Sequence, residues 1–470
     1  MVISLIFHLL YSVFLHVLHL YPGPTFSAIS RIPYWIACLH GNQVRWMAKL
    51  HQKHGPVVRY GPNDMSYSDG RAWKDITTVK RITENGKQAT FYPPSTNGIP
   101  SIFAEPNIIR HAELRRIFSH AFSERALKAQ EPLFQKHTDL LVAYARKAKT
   151  VNLTELFNFI TFDIVGEMAF GHSLGQLECG KYTPWMAKIF RTLRVLPFLQ
   201  MIHYYPLVQT IFDLIEPKFV TAMRSDFQHT TSRVDKRICE SSEKSDMWNL
   251  ILEDGTLSLD EIYINAELFM TAGTETTASL LTGLMYYLIA SPDKKRILTN
   301  EIRQRFHNDR EITFVGLAQI DYLNACIREG LRVWPPVPVG LPREIAPGGN
   351  HILGRWLPGG TSVSKHSRAT TKNTEIRRNP DKFAPERWLG DPEYKDDQRD
   401  AHQLFSLGPR NCLGMNIAWH EARLLIAKLL FNFDIESDVG PDWTDQNVYV
   451  IWERKPLKCQ LKEVSGSYKF

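Results

Sequence analysis

The 470-residue chain has no C-x-x-C pair, and its six cysteines (Cys38, Cys179, Cys239, Cys326, Cys412 and Cys459) are scattered. That spacing excludes a sulfur-rich zinc cluster and a disulfide scaffold as the basis of the fold. It fits a reducing compartment. The sequence also lacks internal repeats and low-complexity tracts, which excludes solenoid and disordered architectures. Charge imbalance is slight: Lys and Arg exceed Asp and Glu by 7 over the whole length. That excess gives no argument for nucleic acid, and it suits an acidic protein partner or an anionic membrane. Hydrophobic residues make up 44% and charged residues 22%. A chain of this length and composition buries a large core with room for a cofactor.

The first twenty residues, MVISLIFHLLYSVFLHVLHL, contain no Asp, Glu, Lys or Arg. A helix of that length spans about 30 Å, the hydrocarbon thickness of a bilayer. The basic start and small-residue cleavage site of a removable leader are missing. Arg31, Arg45, Lys49, Lys53 and Arg59 all precede the first acid, Asp64, and positive charge on that flank places the body on the cytoplasmic side. Tyr21-Pro-Gly-Pro-Thr25 cannot continue a helix. The reading is a transmembrane anchor helix over 1–20, a Pro-rich hinge over 21–33 and one body over 34–470.

Extended runs occur early, as in Pro56–Asp69 with a turn at Gly61-Pro62-Asn63. From His111 to about Glu301, apolar residues recur at helical spacing. A long helix is predicted over Ser258–Ile289, with Ser258 and Glu261 forming a capping box and Ser291-Pro292 ending it. A further helix covers about Leu323–Val333 and stops at Trp334-Pro335-Pro336. Short strands and turns are expected over Val337–Arg368, a solvated charged loop over Asp391–Asp400, and a last helix over Leu413–Phe431. The fold class is therefore mainly α with a small β region.

One cysteine has unusual neighbours, in Phe405-Ser-Leu-Gly-Pro-Arg-Asn-Cys-Leu-Gly414. Gly408 and Gly414 permit close backbone approach, and Pro409 stiffens the loop. A helix beginning just after Cys412 would offer free N–H groups and its positive end, both of which lower a thiol pKa. A lone cysteine serves as nucleophile, metal ligand or filler. A nucleophile calls for a histidine base, and His402 and His420 are near in sequence.

Four stretches, taken in order, resemble one family. Ala272-Gly-Thr-Glu-Thr276 resembles the [AG]-G-x-[DE]-T of the cytochrome P-450 haem-thiolate enzymes, and Glu329-Gly-Leu-Arg332 their E-x-x-R. Pro385-Glu-Arg-Trp388 resembles P-E-R-[FW], and Phe405–Gly414 resembles F-x-x-G-x-R-x-C-x-G. His111-Ala-Glu-Leu-Arg-Arg116 and Thr161-Phe-Asp-Ile-Val165 resemble, more loosely, microsomal fungal hydroxylases of secondary metabolism, such as those acting on trichothecene-type terpenoids.

The resemblance implies the cytochrome P-450 fold and haem b, with Cys412 as axial thiolate to the iron, Phe405 beside the loop and the Gly414 amide on the sulfur. It implies propionate contacts from Arg410, Arg115 and Arg343, and from His111, which stands where many members carry tryptophan. Ala272 and Gly273 would let the helix approach the haem, with Glu275 and Thr276 as the acid–alcohol pair that delivers protons. Glu329, Arg332 and Arg387 would form a buried structural network. Electrons would come from an NADPH-cytochrome P-450 reductase that holds the flavins, with cytochrome b5 as a further donor. The implied site is the endoplasmic reticulum membrane, single-pass, with the catalytic domain facing the cytoplasm. Substrate contacts would come from Asn97–Phe103, Trp185–Phe198, Ala266–Ala272, Val337–Gly340 and Asn447–Val450, mostly apolar. Two rivals remain at this point. One is a haem-thiolate isomerase, dehydratase or peroxide-using enzyme, which the intact Glu275-Thr276 pair disfavours. The other is a non-catalytic membrane-anchored binding protein.

Overall fold

The computed structural model describes residues 6–464 except 8, 78–83, 93–96, 216, 240–246, 253–254 and 372–375. The early extended run forms a hairpin, β1 (Val57–Gly61) and β2 (Asp64–Tyr67), about the predicted Gly61-Pro62-Asn63 turn. Three short strands complete this sheet: β3 (Gly86–Lys87), β4 (Arg343–Glu344) and β5 (Ser362–Lys365). The order is β1-β2-β5-β4-β3, with β2 and β5 parallel. A parallel pair needs a long crossover, and here most of the helical body lies between its strands. Near the C-terminus β6 (Val448–Tyr449) and β7 (Ile451–Trp452) pair about Val450, whose φ is 76°.

Six helices position the site. They are α1 (Ile108–Ala121), α2 (Leu153–Phe170), α3 (Pro184–Tyr204), α4 (Leu259–Ile289), α5 (Asp321–Val333) and α6 (Met415–Asn432). Helix α4 begins with the predicted capping box: Ser258 Oγ accepts from the Glu261 N–H, and the Glu261 carboxylate accepts from the Ser258 N–H. From Thr274 to Leu288 nearly all of α4 is buried, so it is a core helix rather than an amphipathic surface one. It packs along α2 and also touches α5 and α6. Gly273 permits the α2 approach, since a Cβ there would sit 3.0 Å from a Val165 methyl.

The N-terminal segment departs from the expected continuous helix. Helical backbone ends at Leu15, and His16 is extended with ψ 144°. Local bonds hold the break: the Leu18 N–H donates to His16 Nδ1 at 3.1 Å, and His19 Nδ1 lies 2.7 Å from the His16 carbonyl. Leu18, with no exposed surface, and Tyr21 join Met65, Tyr67, Ile76 and Val363 under the five-stranded sheet. The Arg59 guanidinium also ties this segment down, donating to the Ser12 and Ala28 carbonyls. Among the described residues no helix is long and apolar enough to cross a membrane.

Candidate active site

The loop Phe405–Gly414 is closed by the Cys412 N–H, which donates to the Phe405 carbonyl at 2.7 Å. Two positive φ angles make the bend, 62° at Ser406 and 75° at Gly408. A glycine meets that requirement without steric cost, whereas Ser406 bears some strain. Cys412 is solvent-accessible although protein surrounds it closely, so the sulfur faces a space walled by protein. That enclosure pushes the thiol above its ordinary pKa, against the Gly414 N–H and the Arg115 charge, which pull it down. The expectation of a net lowering is thus reversed, because desolvation outweighs the N–H groups and the cation. A metal cation at the sulfur would remove the proton outright. Neither candidate histidine supplies a base. His420 pairs with Glu124 at 2.9 Å and stacks on Phe314, and His402 packs against Trp388.

Beside this loop lies a cationic cluster. Arg410 Nε donates to Glu84 at 2.5 Å, and its Nη1 donates to the Glu105 carbonyl. Arg343 Nη1 lies 3.5 Å from the same Glu84 oxygen. The Lys87 ammonium sits over the Tyr92 and Phe103 rings at 4.1 and 4.5 Å. Burial, together with repulsion from Arg343 and Arg410, drives Lys87 well toward its neutral form. His111 is buried in the same field and held near pKa 3, by burial first and then by Arg410, Lys87, Arg115 and Arg343, so its imidazole is neutral. Arg115 is turned to the loop, with Nη1 donating to the Asn411 carbonyl and Nη2 to its side-chain oxygen. Arg410 and Arg343 thus share one carboxylate, Glu84, with the Lys87 amine beside them, and the surplus positive charge suits a further anion such as a propionate.

Helix α4 reaches both flanks of the loop. Phe269 packs edge-on against Phe118 and Phe122 beside α1, with centroids 5.1 and 5.2 Å apart. The Thr277 hydroxyl comes within range of Glu421 on α6. Between these contacts Ala272 is exposed and Gly273 and Thr276 are partly so, giving an accessible strip of small residues. The Thr276 hydroxyl donates to the Ala272 carbonyl at 2.7 Å. Glu275 points elsewhere and is fully enclosed, with Arg454 Nη2 donating to its Oε2 at 2.6 Å.

The predicted network is assembled and wholly buried. Arg332 grips Glu329 through two hydrogen bonds of 2.8 and 2.7 Å, and Arg387 Nε lies 3.5 Å from Glu329. The Trp388 indole N–H and the Ala384 N–H also donate to Glu329, each at 2.9 Å. Asp397 is the member that sequence reasoning missed. It sat in a charge run expected to be solvated, yet it is buried and accepts from Arg387 and from the Arg378 N–H. Lys87, Glu84, Arg454 and Glu421 were missed too. Each lies outside any motif, and only the fold brings it to the site.

Comparison with known proteins agrees with this geometry. The cytochrome P-450 family profile matches residues 22–461. The chain belongs to the cytochrome P-450 family. Cytochrome P-450 monooxygenase efuB of Hormonema carpetanum is 39% identical, with 94% of this chain and 91% of that protein aligned. Averantin hydroxylase of Dothistroma septosporum is 37% identical, over 96% and 88%. Cytochrome P-450 monooxygenase astJ of Aspergillus oryzae is 36% identical, over 97% and 94%. The protein is thus a haem-thiolate monooxygenase of fungal type, mainly helical with small sheets. Its cofactor is thiolate-ligated haem b, and it draws electrons from a redox partner and acts on a small molecule. The accessible sulfur, the surplus cations and the small-residue strip fit that group.

Proposed function

We propose that this P-450 inserts one oxygen atom from O2 into an apolar fungal secondary metabolite of terpenoid or polyketide type. The carrying observation is the accessible Cys412 sulfur set beside surplus buried cations, with the strip Ala272, Gly273 and Thr276 on the helix that spans the loop's two flanks. Cys412 would hold the haem iron, and Arg410, Arg343, Lys87 and His111 would face the propionates, with Arg115 bracing the loop through Asn411. Haem so held supplies oxygen activation, its thiolate favouring O–O cleavage. The Thr276 hydroxyl would hold and orient water, Glu275 would carry protons inward, and the Glu329–Arg332–Arg387 network would keep the base of the site rigid. Apolar side chains of Asn97–Phe103, α3, Val337–Gly340 and β6 would receive the substrate and exclude water. The hydroxylase named among the relatives supports the reaction class.

The electron donor in this reading is an NADPH-dependent flavoprotein reductase, with cytochrome b5 as a further donor. Its acidic surface would meet the basic excess of this chain. Residues 1–20 would attach the protein to the endoplasmic reticulum membrane, with 21–33 as the connecting segment and the catalytic body 34–470 on the cytoplasmic side. Exposed Ile6, Phe7, Leu10, Phe14 and Leu15, and on the helix Pro206–Ile215 Leu207, Ile211 and Leu214, support a membrane face. The test is turnover of candidate metabolites with purified reductase under isotopically labelled O2. One labelled oxygen per product, dependent on NADPH, is expected. Product without label, or formed equally without reductase, would overturn the reading.

A further inference from the structure

A cavity of about 240 Å3 opens between the helix Gln43–His54, the short helix Ser367–Thr371 and the β6–β7 hairpin. Its lining shares no residue with the Cys412 loop, the cation cluster or the α4 strip. It is smaller than the roughly 300–1,000 Å3 of sites for drug-sized ligands, so it suits a small molecule. Val44, Val448 and Trp452 give it apolar walls. Val448 and Trp452 are cross-strand partners, so they share one face of the hairpin. The next pair, Tyr449 and Ile451, takes the other face, where the Arg194 guanidinium of α3 lies 5.7 Å from the Tyr449 ring. The cavity and α3, which lies on the expected substrate side, thus flank the hairpin from opposite faces.

Two guanidiniums reach the cavity, and one of them is already committed. Arg45 donates to the Gln446 carbonyl at 2.8 Å and to the Asn42 side chain at 2.6 Å, and it pairs with Asp445 at 2.7 Å. The Arg368 guanidinium has no hydrogen bond or ion pair among the described residues; its nearest aromatic neighbour is the Trp452 ring, 5.3 Å away. Protein encloses Arg368 closely, yet the residue stays partly exposed, so its open side is the cavity. Enclosure lowers its pKa, opposed by Tyr287 and Asp381 and reinforced by Arg45. A guanidinium keeps its charge through such a shift, and its five donors call for an acceptor. The Asp445 side chain, 72% exposed, stands at the rim and adds negative charge there. The cavity therefore holds one uncompensated positive charge on apolar and aromatic walls, too little for a phosphate dianion.

We propose that this cavity is a second ligand site, separate from the haem pocket, and that it takes a small organic monocarboxylate with an aromatic or compact apolar body. The carboxylate accepts a forked pair of hydrogen bonds from Arg368. The body lies against Trp452, Val44 and Val448, where its burial adds to the affinity. One surplus cation selects a single negative charge, and Asp445 disfavours a second. Binding is non-covalent.

The test is calorimetric titration of the full-length, haem-loaded protein with phenylacetate, with an iron-ligating azole filling the haem pocket. Saturable one-to-one binding is expected, with a Kd of about 1 mM or tighter. The uncharged analogue 2-phenylethanol and the variant R368M should each weaken it by roughly tenfold or more, as loss of a charge-assisted contact does. Acetate, which lacks the apolar body, should bind more weakly than phenylacetate. D445N, at an exposed position, should tighten phenylacetate binding by roughly twofold or more, an effect that fades at high salt. No saturable binding by wild type below about 10 mM, or equal binding by R368M, would overturn the proposal. So would binding seen only without the azole, which belongs to the haem pocket. Acetate binding as tightly as phenylacetate would overturn the ligand class. If R368M does not fold, D445N decides, and unchanged affinity there contradicts the site.

Discussion

Buried carboxyls in this protein meet two fates, set by their partners. Burial pushes the Glu329 carboxyl up, but Arg332 and Arg387 outweigh it and hold the group below its ordinary value. Removing one partner of such a pair costs on the order of 3–5 kcal/mol. E329Q should therefore lose haem and unfold at markedly lower urea, read from the haem-to-protein ratio and denaturation curves. Asp397 should behave in the same class, whereas the exposed neighbour Asp396→Asn should stay within about 0.5 kcal/mol of wild type. Glu421 shows the opposite fate. Neither of its oxygens has a well-formed hydrogen bond among the described residues, and burial, opposed only by the nearby Thr277 hydroxyl, raises its pKa from 4.5 to about 8. A raised folded-state pKa means that its contribution to stability is present below 4.5 and is lost as pH rises toward about 8. Wild type should lose stability across that window relative to E421Q, measured by thermal unfolding at stepped pH; parallel curves would contradict this. The residues Glu329, Arg332 and Arg387 were legible because motif spacing carries them. Asp397 was not, since a charge run does not say which of its members turns inward.

Helix α4 separates what is local from what is not. Its start was readable because a capping box is written in four consecutive residues, and its end because proline stops a helix. S258A should cost about 1 kcal/mol in thermal unfolding. The role of Gly273 was read as space near the haem, but the fold gives that glycine a second reason, the approach of Val165 from a distant helix. G273V should overpack the α2–α4 contact by roughly 1–3 kcal/mol. Val165→Ala should relieve part of that loss, so a strictly additive double mutant would contradict the account. The strip's neighbour Glu275 stands in a sequence motif, but its partner Arg454 was invisible, because nothing local in sequence marks a contact between a late hairpin and a middle helix.

Over the whole molecule, the mainly helical class, the β1–β2 hairpin and the four motifs could be read from sequence. The path of residues 6–21 could not, because hydropathy alone does not show that Leu18 and Tyr21 serve the sheet's core. L18A should cost about 2–5 kcal/mol, as a buried leucine does, and show it with the protein in detergent as well as in vesicles. A purely lipid-facing Leu18 would leave detergent stability unchanged. The central claim is that the Cys412 sulfur, framed by the cation cluster and the α4 strip, is the haem ligand. The most direct measurement is the reduced, carbon monoxide-bound difference spectrum of the full chain beside C412S. Wild type should give the far-red-shifted Soret band of a thiolate–iron–carbonyl complex, and C412S should lose it. A band at the ordinary position in wild type, or a shifted band that survives in C412S, would contradict the account.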